Sequence, residues 1–171
     1  MRDSFIARLH GICADDQRPF LITGDLGFAV LDRFIADYPD KFLNAGVAEQ
    51  NMTAVAAGLA LEGRIVFTYS IGNFPILRCL EHLRNDVCYH DANVKVVAVG
   101  GGFSYGQLGF SHHATEDIAI MRALPNMMVL APGDRWEASE ATQALIDTPG
   151  PAYLRIDKGG PAENTNRPGE V

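Results

Sequence analysis

Six short apolar runs recur along the chain, each separated from the next by a stretch with helical spacing, and this alternation limits what the chain can fold into. The run "VKVVAV" (94–99) is almost unbroken in apolar residues, as strands covered on both faces of a parallel sheet are. "PFLITGD" (19–25), "KFLNAG" (41–46), "RIVFTYS" (64–70), "NMMVLAP" (126–132) and "PAYLRID" (151–157) read as further strands. Helices are predicted over 4–13, where Phe5, Ile6, Leu9 and Ile12 share a face, and over 27–40, stopped by Pro39. Others are predicted over 47–63, closed by Gly63, and over 74–90, with Pro75 in the first turn. The last two span 114–124, with Thr115 at the N-terminus, and 133–148. Strands joined through helices imply a three-layer α/β/α domain with a mostly parallel six-stranded sheet. The 171 residues fit one domain over 1–158, with 159–171 a polar, turn-rich tail expected to lack a fixed fold.

Composition narrows the function class. A formal net charge of −7 argues against nucleic acid, whose binding needs a basic face. No apolar run reaches a membrane span, and charges interrupt the N-terminal stretch, so neither a membrane segment nor a signal peptide is expected. Three scattered cysteines give no disulfide framework and no Cys-x-x-Cys metal pair, which suits a cytoplasmic protein; no metal ligand is assigned.

In parallel sheets, binding sites lie outside the carboxyl ends of the strands. "NAGVAEQNM" there places Glu49 at the start of a helix among small apolar residues. Two readings stay open: an acid favoured by the helix dipole, or a buried acid, its pKa raised by apolar neighbours, that exchanges a proton with a ligand nitrogen. "GGGFSYGQLGFSHH" carries five glycines over 100–109 and ends in His112–His113. It is either a flexible surface loop or a segment brought close to a ligand, with one imidazole facing substrate. Tyr69 and Phe74 are core residues or a stacking face for a flat heterocycle, and Asp25 is a site residue or a helix N-cap.

Taken in order, "GDLG", "FLNAGVAEQNMTAVAAGLALEG", "LRND" and "SHHATEDIAIMRALPNMMVLAPGD" resemble the pyrimidine-binding domain of transketolase-like, thiamine-diphosphate-dependent enzymes. The similarity runs from about Asp25 to about Asp157 and is nearest to the separately encoded C-terminal subunit of bacterial and archaeal transketolases. It implies a transferase moving a two-carbon ketol or acyl unit. Glu49 would then hydrogen-bond the N1′ atom of the cofactor's aminopyrimidine, with Phe74, or failing it Tyr69, stacked on the ring and Asp25 beside the cofactor. His112 would face the substrate, with His113 the second choice.

The resemblance also implies what this chain leaves to others. The diphosphate and its Mg²⁺ or Ca²⁺ would be held by a partner domain bearing Gly-Asp-Gly, a motif that Gly24-Asp25-Leu26 does not reproduce. The chain is thus expected to act as a subunit or fragment of an oligomer, a homo-oligomer or heterotetramer. Departures fall in the substrate half: Leu108 replaces an Asp, Gly100 a His, and Ser70-Ile71 the usual Thr-Phe. They leave open a ketose phosphate or a 2-oxo acid as substrate. The alternatives are an oxo-acid-dehydrogenase β-type or deoxyxylulose-phosphate-synthase-like subunit, or a non-catalytic assembly domain.

Overall fold

The computed structural model describes residues 1–159. Six strands form one sheet: β1 (Pro19–Thr23), β2 (Phe42–Asn44), β3 (Ile65–Ile71), β4 (Val94–Val99), β5 (Met128–Leu130) and β6 (Ala152–Ile156). Their order is β2-β1-β3-β4-β6-β5, and every pairing is parallel. The helices are α1 (Arg2–Asp15), α2 (Asp32–Asp37), α3 (Glu49–Leu61), α4 (Leu80–His82), α5 (Asp117–Ala123) and α6 (Arg135–Asp147). The expected tail lies, from residue 160 onward, outside the described residues.

Strand residues alternate between two cores, because successive side chains of a strand point to opposite faces. Phe67, Tyr69, Val97, Val99, Leu154 and Ile156 pack under α1, α2 and α6 with Phe5, Leu9 and Phe34. Val66, Val96, Ala98 and Tyr153 pack under α3, the segment Leu83–Cys88 and α5 with Met52, Ala56, Leu83 and Met121. Both faces of the sheet are therefore covered, which explains the apolar runs. Among the described residues no helix is long and apolar enough to cross a membrane.

Two predicted helices are shorter than their patterns suggested. The segment 27–40 is α-helical only over Asp32–Asp37, because Ala29 takes a left-handed φ of +62° that keeps the turn closed by Gly27 and Leu31 separate from the helix. The segment 74–90 begins with turns, and only from Leu80 becomes helical, widening to a π-helix over Leu83–Cys88. The turns move Phe74 and Arg78 off a helix face and onto a loop just past β3. Helix α5 begins at Asp117, and Thr115 bonds Glu116 rather than capping it.

Candidate active site

The chain leaves β1 for β2 on one side and then crosses to β3 on the other, so the sheet switches direction at β1. Open parallel sheets hold their ligands at such a crevice. The segments that meet there follow the carboxyl ends of β1 to β4.

Glu49 is the first residue of α3, and its side chain is only 2% exposed. A buried carboxylate needs a partner, and here Nη1 of Arg78 donates to Oε2 at 2.9 Å. Among the described residues Oε1 takes no hydrogen bond, and it lies beside Gly24, just past β1. Glu49 thus both occupies a helix's first turn and is buried. Its wall, however, is not simply apolar. The Arg78 guanidinium also lies 4.8 Å from the centre of the Phe74 ring, a cation–π contact. Phe74 in turn meets the His112 ring edge-on at 5.1 Å. Acid, guanidinium, aromatic ring and imidazole form one continuous line.

Asp25 adopts a left-handed φ of +58° and does not cap a helix. Its backbone N–H donates to Oδ1 of Asn44 at 3.0 Å, and Nδ2 of Asn44 donates back to its Oδ1 at 3.0 Å. The same Asn44 oxygen accepts from the N–H of Gly46, so one amide ties the loops after β1 and β2 together.

The histidines separate. Nδ1 of His112 is 3.0 Å from the Ser111 hydroxyl, and its ring faces Phe74 and Tyr105. His113 turns into its own loop, with Nε2 donating to the carbonyl of Gly106 at 2.9 Å and its ring edge-on to Phe103. Adjacent residues point apart, and only His112 faces the line that leads to Glu49.

Tyr69 does not serve as the fallback stacking ring. It is 2% exposed in the core under α1, stacked on Phe5, whereas Glu49 opens α3 on the opposite face of the sheet. The odd position of Tyr69 in β3 decides this, since only even positions of that strand face α3. Burial also pushes its phenol up, which keeps it neutral.

Arg78 and Asn44 are the site residues that sequence reasoning missed. Arg78 reads as an ordinary polar helix position, and no spacing rule pairs residues 49 and 78. Asn44 could have been noticed as a polar residue ending a strand beside a glycine. The groups present suit a flat heteroaromatic ring: a carboxyl oxygen without a hydrogen bond, an aromatic side chain and a tied loop from β1. They do not suit a metal, because among the described residues no group of three or more His, Cys, Asp or Glu could hold one.

Comparisons with known proteins place the chain in a family. Residues 1–161 match the family described as transketolase, pyrimidine binding domain. The chain is 46% identical over 125 residues to a putative transketolase C-terminal section of Methanocaldococcus jannaschii, covering 73% of this chain and 40% of that protein. It is 35% identical to one subunit of an apulose-4-phosphate transketolase of Phocaeicola vulgatus, covering 92% of this chain and 51% of that protein. The chain thus spans about half or less of these relatives. Among solved structures, a split-gene transketolase described as an inactive β4 tetramer superposes with a TM-score of 0.85 at 33% identity, covering 95% of this chain and 52% of that one. A transketolase from Leishmania mexicana, at 22% identity and a TM-score of 0.85, shares the fold. This chain belongs to the transketolase pyrimidine-binding domain family.

Proposed function

We propose that the chain is the pyrimidine-binding part of a thiamine-diphosphate-dependent transketolase-like enzyme that transfers a two-carbon unit and is completed by a diphosphate-binding partner. The observation that carries this reading is the buried Glu49 with one oxygen on Arg78 and the other free beside Gly24. When bound, the cofactor supplies the carbanion-stabilising group that carbon–carbon transfer requires. Glu49 holds or takes up a proton at Oε1, where a ring nitrogen can share it. Arg78 fixes the other oxygen and so limits the carboxyl group to one orientation. Phe74 offers a ring face and Asp25 borders the cofactor, while His112 faces the substrate. His113, bonded to Gly106, shapes the loop instead.

The partner supplies the diphosphate site and its divalent metal, since the described residues of this chain offer no donor set for one. Phe28, Val47, Phe103 and Phe110 are 79%, 73%, 71% and 84% exposed, all on loops past the carboxyl ends of strands. Apolar side chains exposed around a site suit a surface covered in an assembly. Three free, buried cysteines suit a reducing cytoplasm.

One observation favours a second reading of the substrate. Loop 100–115 contains no Asp, Glu, Lys or Arg, and Leu108 stands half exposed on it. Such a loop offers no Lys or Arg cation to a phosphate or a carboxylate, so an uncharged small aldehyde suits it best, and the anion of a ketose phosphate or 2-oxo acid would be held elsewhere.

The test is reconstitution with a diphosphate-binding chain and thiamine diphosphate, followed by assays on ketose phosphates and on pyruvate. Glu49→Ala should abolish turnover on whichever substrate is used and leave the fold intact. Near-normal turnover by that variant would overturn the proposal. Failure of the wild-type complex to bind cofactor would favour an assembly role instead.

A further inference from the structure

The proposed reaction makes no use of a second buried acid. Asp117 opens α5 with its side chain 2% exposed. Oδ2 accepts a hydrogen bond from the Tyr153 hydroxyl at 2.6 Å, and Nε of Arg155 lies 3.5 Å from the same oxygen. Oδ1 is buried and has no partner among the described residues. Tyr153 and Arg155 are alternate residues of β6 and so share the face that α5 covers. Burial, with the bond to Asp117, pushes the Tyr153 phenol up, so it remains a donor.

Arg155 has a second contact. Its guanidinium lies directly over Gly101, where any Cβ would collide with it. The next residue, Gly102, takes a φ of +58° and pairs with Ala114 in an antiparallel bridge, through hydrogen bonds of 2.7 and 2.9 Å. Ala114 lies just upstream of Asp117. Both ends of the histidine loop therefore converge on one carboxylate, the entrance through Arg155 and the exit through α5 itself. The Ser104 hydroxyl adds a tie, lying 2.8 Å from the carbonyl of Gly101 and 2.9 Å from Oδ1 of Asp157, just past β6.

We propose that Arg155 and Asp117 are positioning residues, forming a latch at the end of β6 that holds the base of loop 100–114 closed and so keeps His112 against Phe74. The latch follows from the contacts alone; its importance for substrate rests on the function proposed above. Without it the entrance glycines keep, among the described residues, the bond from the Gly100 N–H to the carbonyl of Ile156 at 2.7 Å, the Gly102–Ala114 bridge and the ties from Ser104, none of which reaches the Gly101 N–H or α5. The collision at Gly101 further requires that latch and glycine act as one unit.

Amide hydrogen exchange on the full chain tests this. Arg155→Met should speed exchange across 100–116 by about ten-fold or more while leaving β1 and β3 within about two-fold. Gly101→Ala should do the same alone, yet add less than about two-fold in an Arg155→Ala background, because the colliding group is gone. Arg155→Lys, which keeps the charge but lacks the planar fork, should fall between wild type and Arg155→Met. In the reconstituted enzyme, Arg155→Met should raise the KM for substrate by about five-fold or more and leave cofactor affinity within about two-fold. Unchanged exchange in the loop, acceleration spread equally over the sheet in both the Met and Lys variants, or an equal cost of Gly101→Ala in both backgrounds would each overturn the latch. Cofactor affinity falling in step with KM would overturn its positioning role. A responsive loop in an enzyme that tolerates Glu49→Ala would leave the latch standing and remove the proposed function.

Discussion

Arg78 reaches the Glu49 carboxylate at 2.9 Å from a position 46% exposed, while the carboxylate itself is 2% exposed. One member of the pair is in the protein interior and the other at its surface. The pair therefore sits at the mouth of the site, and its cost and benefit are unequal for the two partners.

Removing the guanidinium leaves Glu49 buried without the one side-chain donor it has among the described residues. Arg78→Ala is expected to lower stability by about 1–2 kcal/mol, the low end for a charged hydrogen bond because Arg78 is partly solvated. Arg78→Lys should recover part of this, since an ammonium can reach the one carboxylate oxygen but has no planar face to lay on the Phe74 ring. Urea unfolding at neutral pH of the wild type and both variants checks this; an alanine variant as stable as the wild type would count against the pairing.

Gly72 permits the loops after β3 and β4 to touch. A Cβ there would lie 2.8 Å from the carbonyl oxygen of Gly100 and 3.0 Å from Cβ of Ala114, contacts with parts that cannot swing aside. Gly72→Ala should cost about 1–3 kcal/mol. A melting curve indistinguishable from that of the wild type would show that the loops have room to separate.

Lys95 lies buried at the opposite end of β4, donating to the carbonyls of Thr148 and Gly150 at 2.8 and 2.6 Å. Burial pushes its ammonium down from an ordinary 10.5 to about 8, with Asp91 opposing the shift. Between those values the unfolded chain binds the proton that the folded chain has released, so stability at this site rises with pH. The wild type should therefore gain on Lys95→Met by about 1–3 kcal/mol as pH climbs from about 8 to about 10. Chemical unfolding at several pH values measures the gap, and a gap that stays flat would refute the assignment.

Cys13, Cys79 and Cys88 are free and buried. Burial pushes the thiols of Cys13 and Cys88 up to about 11 and raises that of Cys79. Thiol alkylation at mildly alkaline pH should leave the native chain unmodified and label all three cysteines in urea, as read by intact mass. Rapid labelling of the native chain would mean that the cores open far more readily than their packing suggests.

The layered architecture, the parallel sheet and the strand ends that carry Asp25, Glu49, Phe74 and His112 were all legible along the chain. Those features depend on local patterns: apolar runs that both faces of a sheet can bury, and turn residues that must follow them. Which side chains meet was not legible there and depends on how the folded sheet brings distant segments together. Tyr69 and Ser70 are neighbours in the chain, yet strand alternation sends Tyr69 to the core under α1 and Ser70 to the face under α3. Helix spacing over 74–90 concealed the turns that bring Arg78 to Glu49. Arg155 and Gly101 share a volume that neither residue's own neighbours would reveal. Pattern fixes what a segment becomes, because that depends on residues a few positions apart. Partnership between distant segments depends on where the sheet delivers them, and a single chain read in order holds no distance between them.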